Sequence, residues 1–189
     1  MLSMSRLPPL KDSEVPESLI PFLEMANGTM GFIPNDLYIM ARNPSLVRAF
    51  GALIEAVYLQ GTLTPGFKRI IGYIVSTASG CVYCQSHTSY GAHNAGIDKK
   101  KIADAWNFET SKLFTEAERA ALHVAQGASV SPNSVSDDQF ADLKNYFTDD
   151  EILEIVSVIS MFGFLNRWNS TFSTGVEDPP SRFFQSLKA

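Results

Sequence analysis

Apolar residues recur along most of the chain at the three- and four-residue spacing of a helix, and no stretch sustains the two-residue alternation of a strand. The sequence therefore predicts an all-α protein. In the first part of the chain, the pattern predicts helices over residues 17–26, 36–41, 44–60, 65–78, 81–95 and 98–106. Further on, three S/T-x-x-E/Q capping boxes predict helix starts at Thr115 with Glu118, Ser136 with Gln139, and Thr148 with Glu151.

Proline and glycine indicate where these helices begin and end. Asn43 and Thr64 each stand before a proline, the pattern of a cap followed by a first helical residue. Prolines within residues 1–16 predict an extended arm, and a Pro-Pro pair near the end of the chain predicts that regular structure stops there. We therefore expect a single domain over residues 1–189, with 179–189 as a tail.

Composition and charge narrow the possible functions. A net charge of −5 and an isoelectric point near 5.2 argue against a nucleic-acid-binding surface, which needs clustered Lys and Arg. The longest apolar stretch, residues 152–165, contains Glu154 and is too short to span a bilayer. The N-terminus lacks the apolar core of a signal peptide. We expect a cytoplasmic protein without a membrane partner, and the absence of any nucleotide, flavin or haem motif predicts no cofactor.

The candidate chemistry is concentrated in residues 79–96, which contain both cysteines and two of the three histidines. Cys81, Cys84 and His87 are spaced three apart, so a helix turns each about 60° from the one before it, on one face. Residues at this spacing have Cβ atoms ~5–6 Å apart, and a disulfide needs Cα atoms within about 4.4–6.8 Å. The two cysteines can therefore form and break a disulfide with little backbone movement.

Three considerations indicate a reactive pair. The loop that such a disulfide closes is short, so it would stabilise the fold little. Ser79 and Gly80 predict a break between helices, so Cys81 is expected at a helix N-terminus. The helix dipole favours a thiolate at that position. His87 can act as an acid or base near neutral pH. The candidate catalytic residues are thus Cys81, Cys84 and His87.

A zinc site is the rival interpretation of the same residues. Its ligands would be Cys81, Cys84, His87 and His93, because zinc takes about four N or S donors in a tetrahedron. A single continuous helix cannot wrap around an ion, so a fourth ligand would have to come from His123 or from another subunit. The spacing favours thiol chemistry, with His93 and His123 as ordinary helix residues.

The motif G-C-x-Y-C-x-x-H, followed by Gly96, resembles the core of the alkyl hydroperoxidase D / carboxymuconolactone decarboxylase family. Residues 30–64 and Asn166–Arg167 are similar to its peroxidase-related branch, so the resemblance covers most of the chain. It implies an all-α, alkyl hydroperoxidase D-like helical bundle with CxxC at the start of a core helix. It also implies reduction of hydroperoxides through a Cys81/Cys84 disulfide that a separate thiol or protein reductant resets.

Two departures from the family pattern bear on turnover. The family's catalytic His comes four residues after the second Cys, where this chain has Thr88. Its proton-relay Glu comes twelve residues before the first Cys, where this chain has Arg69. A cation favours a thiolate but cannot accept a proton. We therefore predict a reactive thiol with low peroxide turnover.

Two other functions stay open. One is a decarboxylase-like acid–base lyase that uses His87 or His93 and needs neither cysteine. The other is a non-catalytic redox-sensing or assembly subunit, in which the disulfide changes packing.

A homo-oligomer is also expected, a trimer or a hexamer by resemblance. The stretch over residues 152–165 is apolar on more than one face, and Phe183 and Phe184 lie in the predicted tail. One layer of helices around one core buries a single stripe of each helix, so the surplus requires a second surface.

Overall fold

The computed structural model describes residues 5–188, and over this range the protein consists of α-helices and short 3-10 turns without a β-strand. The predicted all-α class is confirmed. In chain order the helices are α1 Ile20–Met30, α2 Asn35–Met40, α3 Pro44–Tyr58, α4 Pro65–Ala78, α5 Val82–Asn94, α6 Lys99–Ala103, α7 Glu116–Ala128, α8 Asp137–Lys144, α9 Asp149–Phe172 and α10 Asp178–Ser186.

Local capping chemistry sets most of the helix starts, as predicted. The side chains of Asn43 and Thr64 accept hydrogen bonds from the first turns of α3 and α4. The three capping boxes open α7, α8 and α9, each with both reciprocal hydrogen bonds present.

The first helix differs from its prediction. The sequence placed it over residues 17–26 with a stop at Asn27 and Gly28, yet α1 runs on to Met30. Gly28 lies inside α1 and does not have the positive φ of the glycines that end helices here. Gly31 ends the helix instead, in the left-handed conformation (φ +79°) that favours glycine at this position.

The predicted tail over residues 179–189 is wrong, because α10 occupies most of it. Its two prolines lie in the first helical turn, where no backbone N–H is needed, so they begin the helix instead of ending regular structure. Phe184 is buried in the core, and Phe183 stacks on His93 with ring centroids 4.7 Å apart. These two aromatic residues therefore need no subunit contact.

The predicted arm lies partly outside the described residues, which begin at Ser5. The rest of it is mostly irregular backbone with a 3-10 turn at Asp12–Glu14. Behind it, α1, α2 and α3 enclose a small second core around Leu19, Met40 and Val47.

Helix α4 is central to the fold, since it packs on α5, α7 and α9. The residues of its predicted apolar face are all buried: Ile70, Ile71, Ile74 and Val75. Gly72 packs directly against α9, since an added methyl group there would collide with the ring of Phe162. Within residues 5–188, no helix is both long and apolar enough to cross a bilayer.

A buried ion pair fixes the start of α4 against α9. Lys68 is 1% exposed, and its Nζ lies 2.9 Å from Glu154 Oε2. The same ammonium donates to the carbonyls of Val57 and Gln60 at 2.8 and 2.6 Å. Its charge is therefore fully partnered, as a buried cation requires.

Candidate active site

The turn between α4 and α5 places Cys81. Gly80 takes a positive φ of 68°, and Cys81 follows in extended conformation as the N-cap residue of α5. The Cys81 N–H donates back to Ser76 O at 3.0 Å, which ties the turn to α4. The Cys81 side chain therefore stands at the positive end of the α5 dipole.

Both cysteines are free thiols, each about 2% exposed, but their acidities differ. A hydrogen bond from Cys84 lowers the pKa of Cys81 to about 6 despite burial, which raises it. The backbone N–H groups of Cys84 and Tyr83 and the Ser170 hydroxyl lower it further. The same hydrogen bond and burial raise the pKa of Cys84 well above its usual range. The two shifts therefore favour the thiolate on Cys81 and the proton on Cys84.

A carboxyl group lies one side chain away from Cys84. Asn169 of α9 donates from Nδ2 to Cys84 Sγ at 3.5 Å and to Asp36 Oδ2 at 3.2 Å. Burial raises the pKa of Asp36, and the charge of His87 partly offsets this. Asp36 is therefore a stronger base than an exposed carboxylate when it is ionised.

His87 is held by a second carboxylate, at the start of α10. Its Nε2 lies 2.6 Å from Glu177 Oε2, and both side chains are 11% exposed. Tyr83 donates to Glu177 Oε1 at 3.0 Å and stacks on the His87 ring with centroids 4.3 Å apart. Burial raises the pKa of Glu177, but its hydrogen bond to His87 and the His87 charge outweigh this, so the net shift is downward.

The fold and sequence are similar along nearly their whole length to those of the debrominase Bmp8, with 34% identity over 96% of this chain and 97% of that one and a TM-score of 0.89. A family model described as the carboxymuconolactone decarboxylase family matches residues 44–127. This chain belongs to the carboxymuconolactone decarboxylase family. The resemblance drawn from the cysteine motif is thereby confirmed, and membership of this family indicates an enzyme.

Other relatives extend the comparison. A cysteine-to-alanine variant of Bmp8 has been solved in complex with 2,3,4-tribromopyrrole, and it is likewise 34% identical with a TM-score of 0.89. The uncharacterized protein YnjA of Escherichia coli is 28% identical over 168 residues, 87% of this chain and 90% of that one. An alkylhydroperoxidase AhpD core protein from Ralstonia eutropha is 24% identical over 99% of this chain and 98% of that one, with a TM-score of 0.84. The predicted alkyl hydroperoxidase D-like fold is confirmed.

The family positions that depart from the pattern have structural roles here. Thr88 is fully buried and donates to Cys84 O at 2.6 Å, so its hydroxyl serves the helix backbone. Arg69 lies over the Tyr58 ring, 4.2 Å from its centroid. The main influences on either thiol pKa do not include Arg69, so the expectation that this cation favours the thiolate finds no support.

His87 lies one turn beyond Cys84, but its contacts point away from the sulfurs. In the described part of the chain, no hydrogen bond joins His87 to either thiol, and its polar partner is Glu177. The charge of His87 lowers the pKa of Asp36, whose own charge is one of the influences that raise the pKa of Cys84.

The residues that would bind zinc in the alternative interpretation do not lie close together in the structure. Among residues 5–188, no group of three or more His, Cys, Asp or Glu side chains could hold a metal ion. His93 stacks on Phe183, and His123 Nδ1 lies 3.7 Å from Glu109 Oε1.

Four residues of this site were not predicted from the sequence: Asp36, Asn169, Ser170 and Glu177. Two signals could have found some of them. Asn169 follows Asn166 three residues later within a strongly apolar helix, and polar residues at helical spacing on a buried face are informative. Glu177 is the N-cap residue of a helix whose prolines were taken for a stop.

Proposed function

We propose that this protein is a thiol-dependent oxidoreductase that reduces small hydroperoxides through Cys81 and Cys84. The observation that carries the proposal is the contrast between the two sulfurs. Cys81 stands at a helix N-terminus among hydrogen-bond donors, whereas Cys84 is a buried thiol that donates to it. Two-step reduction needs a thiolate that attacks the peroxide first and a neighbouring thiol that loses its proton only in the second step. Cys81 and Cys84 have these two properties.

The proposed cycle balances in two steps. The Cys81 thiolate attacks the terminal oxygen of the hydroperoxide, the O–O bond breaks, and the alkoxide takes a proton to leave as an alcohol. Cys84 then loses its proton and attacks the sulfenic sulfur of Cys81. The S–O bond breaks, and hydroxide leaves as water once protonated. The two thiols have supplied two electrons, and a separate thiol or protein reductant restores them.

Asp36 is the group that we propose takes the proton of Cys84, because the two share the hydrogen-bond donor Asn169. His87, held by Glu177, acts through its charge, which favours the ionised form of Asp36. The low turnover was expected because Arg69, which cannot accept a proton, stands in place of the relay Glu. Asp36 and Glu177 supply two carboxylates, so we propose that proton transfer uses these instead.

Reductive debromination is the second candidate, because the 34% identical relative is a debrominase. The same thiols could serve it: the Cys81 thiolate takes bromine from a brominated ring, and the ring carbon gains a proton. Cys84 then displaces bromide to give the disulfide. The two thiols again supply the electrons. Debromination and peroxide reduction would therefore differ only in the substrate that the Cys81 thiolate attacks.

Rapid mixing of the reduced protein with cumene hydroperoxide or with 2,3,4-tribromopyrrole tests both candidates. We expect alcohol or bromide to appear with the loss of two thiols per chain, and neither Cys81→Ser nor Cys84→Ser to turn over. A lyase would keep its activity in the double variant, and a redox sensor would form the disulfide without sustained turnover. Either result would contradict the proposal.

We further propose a homo-oligomer, a trimer or a hexamer, in the reducing cytoplasm. The exposed apolar residues of α3 and α9 form one face, since the rings of Phe50 and Phe164 meet with centroids 5.5 Å apart. Leu53 and Ile54 on α3 are 41% and 40% exposed. Light scattering tests this, and a single species near 20.8 kDa would contradict it. Leu53→Glu should dissociate the assembly.

A further inference from the structure

A buried asparagine contacts the sulfur of Cys84. Asn169 lies in the last turn of α9 and is 2% exposed. Its backbone is fixed there, because its carbonyl oxygen accepts from the Thr174 N–H at 3.1 Å. The Nδ2 group donates to two acceptors, Cys84 Sγ at 3.5 Å and Asp36 Oδ2 at 3.2 Å. One amide group therefore contacts both the second thiol and the carboxyl group proposed to take its proton.

Only the N–H side of this amide suits these contacts. An ionised carboxylate accepts hydrogen bonds and donates none, so a rotated amide would turn its oxygen toward another acceptor, Asp36 Oδ2. Asn169 Oδ1 is buried and has no hydrogen-bond partner within the part of the chain that the structure describes. A buried acceptor without a partner destabilises a fold, and leucine, which has a similar size, would fill the site without one. Packing therefore does not explain the asparagine, whereas its two N–H contacts do.

The contact with Cys84 becomes stronger when that sulfur ionises. A neutral thiol is a weak acceptor, whereas a hydrogen bond to a charged acceptor is roughly twice as strong as one between neutral groups. The N–H group of Asn169 therefore stabilises a thiolate on Cys84 more than it stabilises the thiol. An interaction that grows as charge develops lowers the barrier of the step in which the charge forms. Over the described range, no hydrogen bond joins the Asn169 side chain to Cys81, so the effect concerns the second sulfur.

Resting on the proposed function, we propose that Asn169 is a catalytic residue of disulfide formation. In this step the Cys84 proton passes to the Asp36 carboxylate, and the hydrogen bond from Nδ2 to Sγ stabilises the electron pair left on the sulfur. That pair forms the S–S bond with Cys81, and the S–O bond of the sulfenic acid breaks. Hydroxide leaves and takes a proton to become water. The earlier attack of Cys81 on the substrate does not involve Asn169.

Dithionitrobenzoate, a disulfide that releases a coloured thiolate, allows the two sulfurs to be followed separately. The Cys81 thiolate attacks the reagent and releases one equivalent, which leaves a mixed disulfide on Cys81. Cys84 then attacks Cys81, expels the second equivalent and forms the Cys81–Cys84 disulfide. Stopped-flow absorbance therefore shows two phases, of which only the second is independent of the reagent concentration. The measurement needs no hydroperoxide, so it does not depend on the natural substrate.

Removal of Asn169 should affect the second phase alone. Loss of one donor to a developing charge typically costs about 10²–10³-fold in rate, and the distance to sulfur is long at 3.5 Å. We therefore expect Asn169→Leu to slow the second phase at least tenfold and to leave the first phase within twofold of wild type. Asn169→Ala, which removes the same donors without adding a larger apolar group, should have the same effect.

Asn166→Leu is the matched control. Asn166 is 3% exposed on the same helix, and its Oδ1 also has no partner among the described residues. Its Nδ2 donates to Val75 O at 3.4 Å and not to a sulfur, so both phases should keep their rates in this variant. An unchanged second phase in Asn169→Leu or Asn169→Ala, or an equal slowing of both phases, would overturn the proposal.

The pH profile of the second phase gives a readout that a merely structural role would not move. The ionisable groups that interact with Cys84 are Cys81, Asp36 and Tyr58, and Cys81 carries the mixed disulfide in this phase. In an Asp36→Asn background, which keeps that neighbour neutral, Asn169→Leu should raise the midpoint by about half a unit or more. An unchanged midpoint would overturn the proposal. Two normal phases without turnover of any hydroperoxide or brominated pyrrole would contradict the proposed function and leave the role of Asn169 in disulfide formation intact.

Discussion

The two sulfurs lie three residues apart in sequence and are equally buried, yet their other neighbours differ. The N–H groups of Tyr83 and Cys84 and the Ser170 hydroxyl lower the pKa of Cys81. Asn169 links Cys84 to the Asp36 carboxyl group. Donors thus surround the first sulfur, and negative charge lies near the second.

This difference shows that the neighbours of each cysteine, more than the CxxC spacing, assign the roles. A thiolate needs hydrogen-bond donors, and α5 and α9 supply them to Cys81. The hydrogen bond to Cys81 and burial, with a smaller contribution from the charge of Asp36, raise the pKa of Cys84, so that thiol keeps its proton more strongly. Under the proposed function the Asp36 carboxylate later accepts that proton, so proton transfer takes place on the Cys84 side.

The sharpest test compares Cys81→Ser with Cys84→Ser. The pKa of Cys81 is lowered to about 6 and that of Cys84 is raised, so Cys81 is the sulfur that ionises first. Burial and the charge of Asp36 still raise the pKa of Cys84 when Cys81 is replaced, so we expect alkylation of Cys81→Ser by iodoacetamide to be about tenfold slower than that of wild type. Cys84→Ser should still react with peroxide but stop at the sulfenic acid, which dimedone traps and mass spectrometry detects. Similar alkylation rates in both variants would show that Cys81 and Cys84 do not differ in acidity as described.

Asp36→Asn tests the Cys84 side by itself. Loss of a general base costs about 10²–10⁴-fold in rate, so disulfide formation after the first attack should slow by at least about a hundredfold. Removal of the negative charge should also lower the pKa of Cys84, because Asp36 is one of the groups that raise it. Stopped-flow kinetics of the second step measure the first effect, and Asp178→Asn at an exposed position is the control. Unchanged disulfide formation would exclude Asp36 as the base.

The features predicted correctly from sequence are those that depend on neighbours in the chain. The caps at Thr64, Thr115 and Thr148 use side chains and N–H groups three residues apart, so short motifs sufficed. The break before Cys81 is likewise local, since Gly80 needs its positive φ there. The proline pair at the start of α10 was ambiguous, because proline both begins and interrupts helices.

The missed residues join the site only through packing. Asp36 comes from α2 and Asn169 from α9, and 133 residues separate them. No local pattern links them to Cys84, because their meeting depends on how α2 and α9 pack on α5. Arg69 stands where the family has its relay Glu, and a different glutamate, Glu177, contacts His87 from 90 residues further along the chain.

A smaller effect is expected from Ser170→Ala on the Cys81 side. The hydroxyl contributes one of several hydrogen bonds to the thiolate, and a hydrogen bond to a charged group contributes about 1.5–3 kcal/mol. Its loss should raise the pKa of Cys81 by about one unit from its value of about 6. The pH profile of iodoacetamide alkylation measures this shift. Ser170→Thr keeps the hydroxyl and should keep the midpoint, and an unchanged midpoint in the alanine variant would show that Ser170 does not stabilise the thiolate.

The smallest effect concerns Glu177, on the Cys84 side. Its folded-state pKa lies below the ordinary 4.5, with His87 outweighing burial, so its ionised form stabilises the fold. That contribution is fully present above pH 4.5 and is lost as the pH falls through the lowered folded pKa. Glu177→Gln should therefore cost about 1 kcal/mol at neutral pH and lessen the loss of stability on acidification. Urea denaturation across this range measures both effects. Because the Glu177 contacts lie on the Cys84 side, the Cys81 alkylation midpoint should stay near 6 in this variant, and a shift of that midpoint would show that the two sides are coupled.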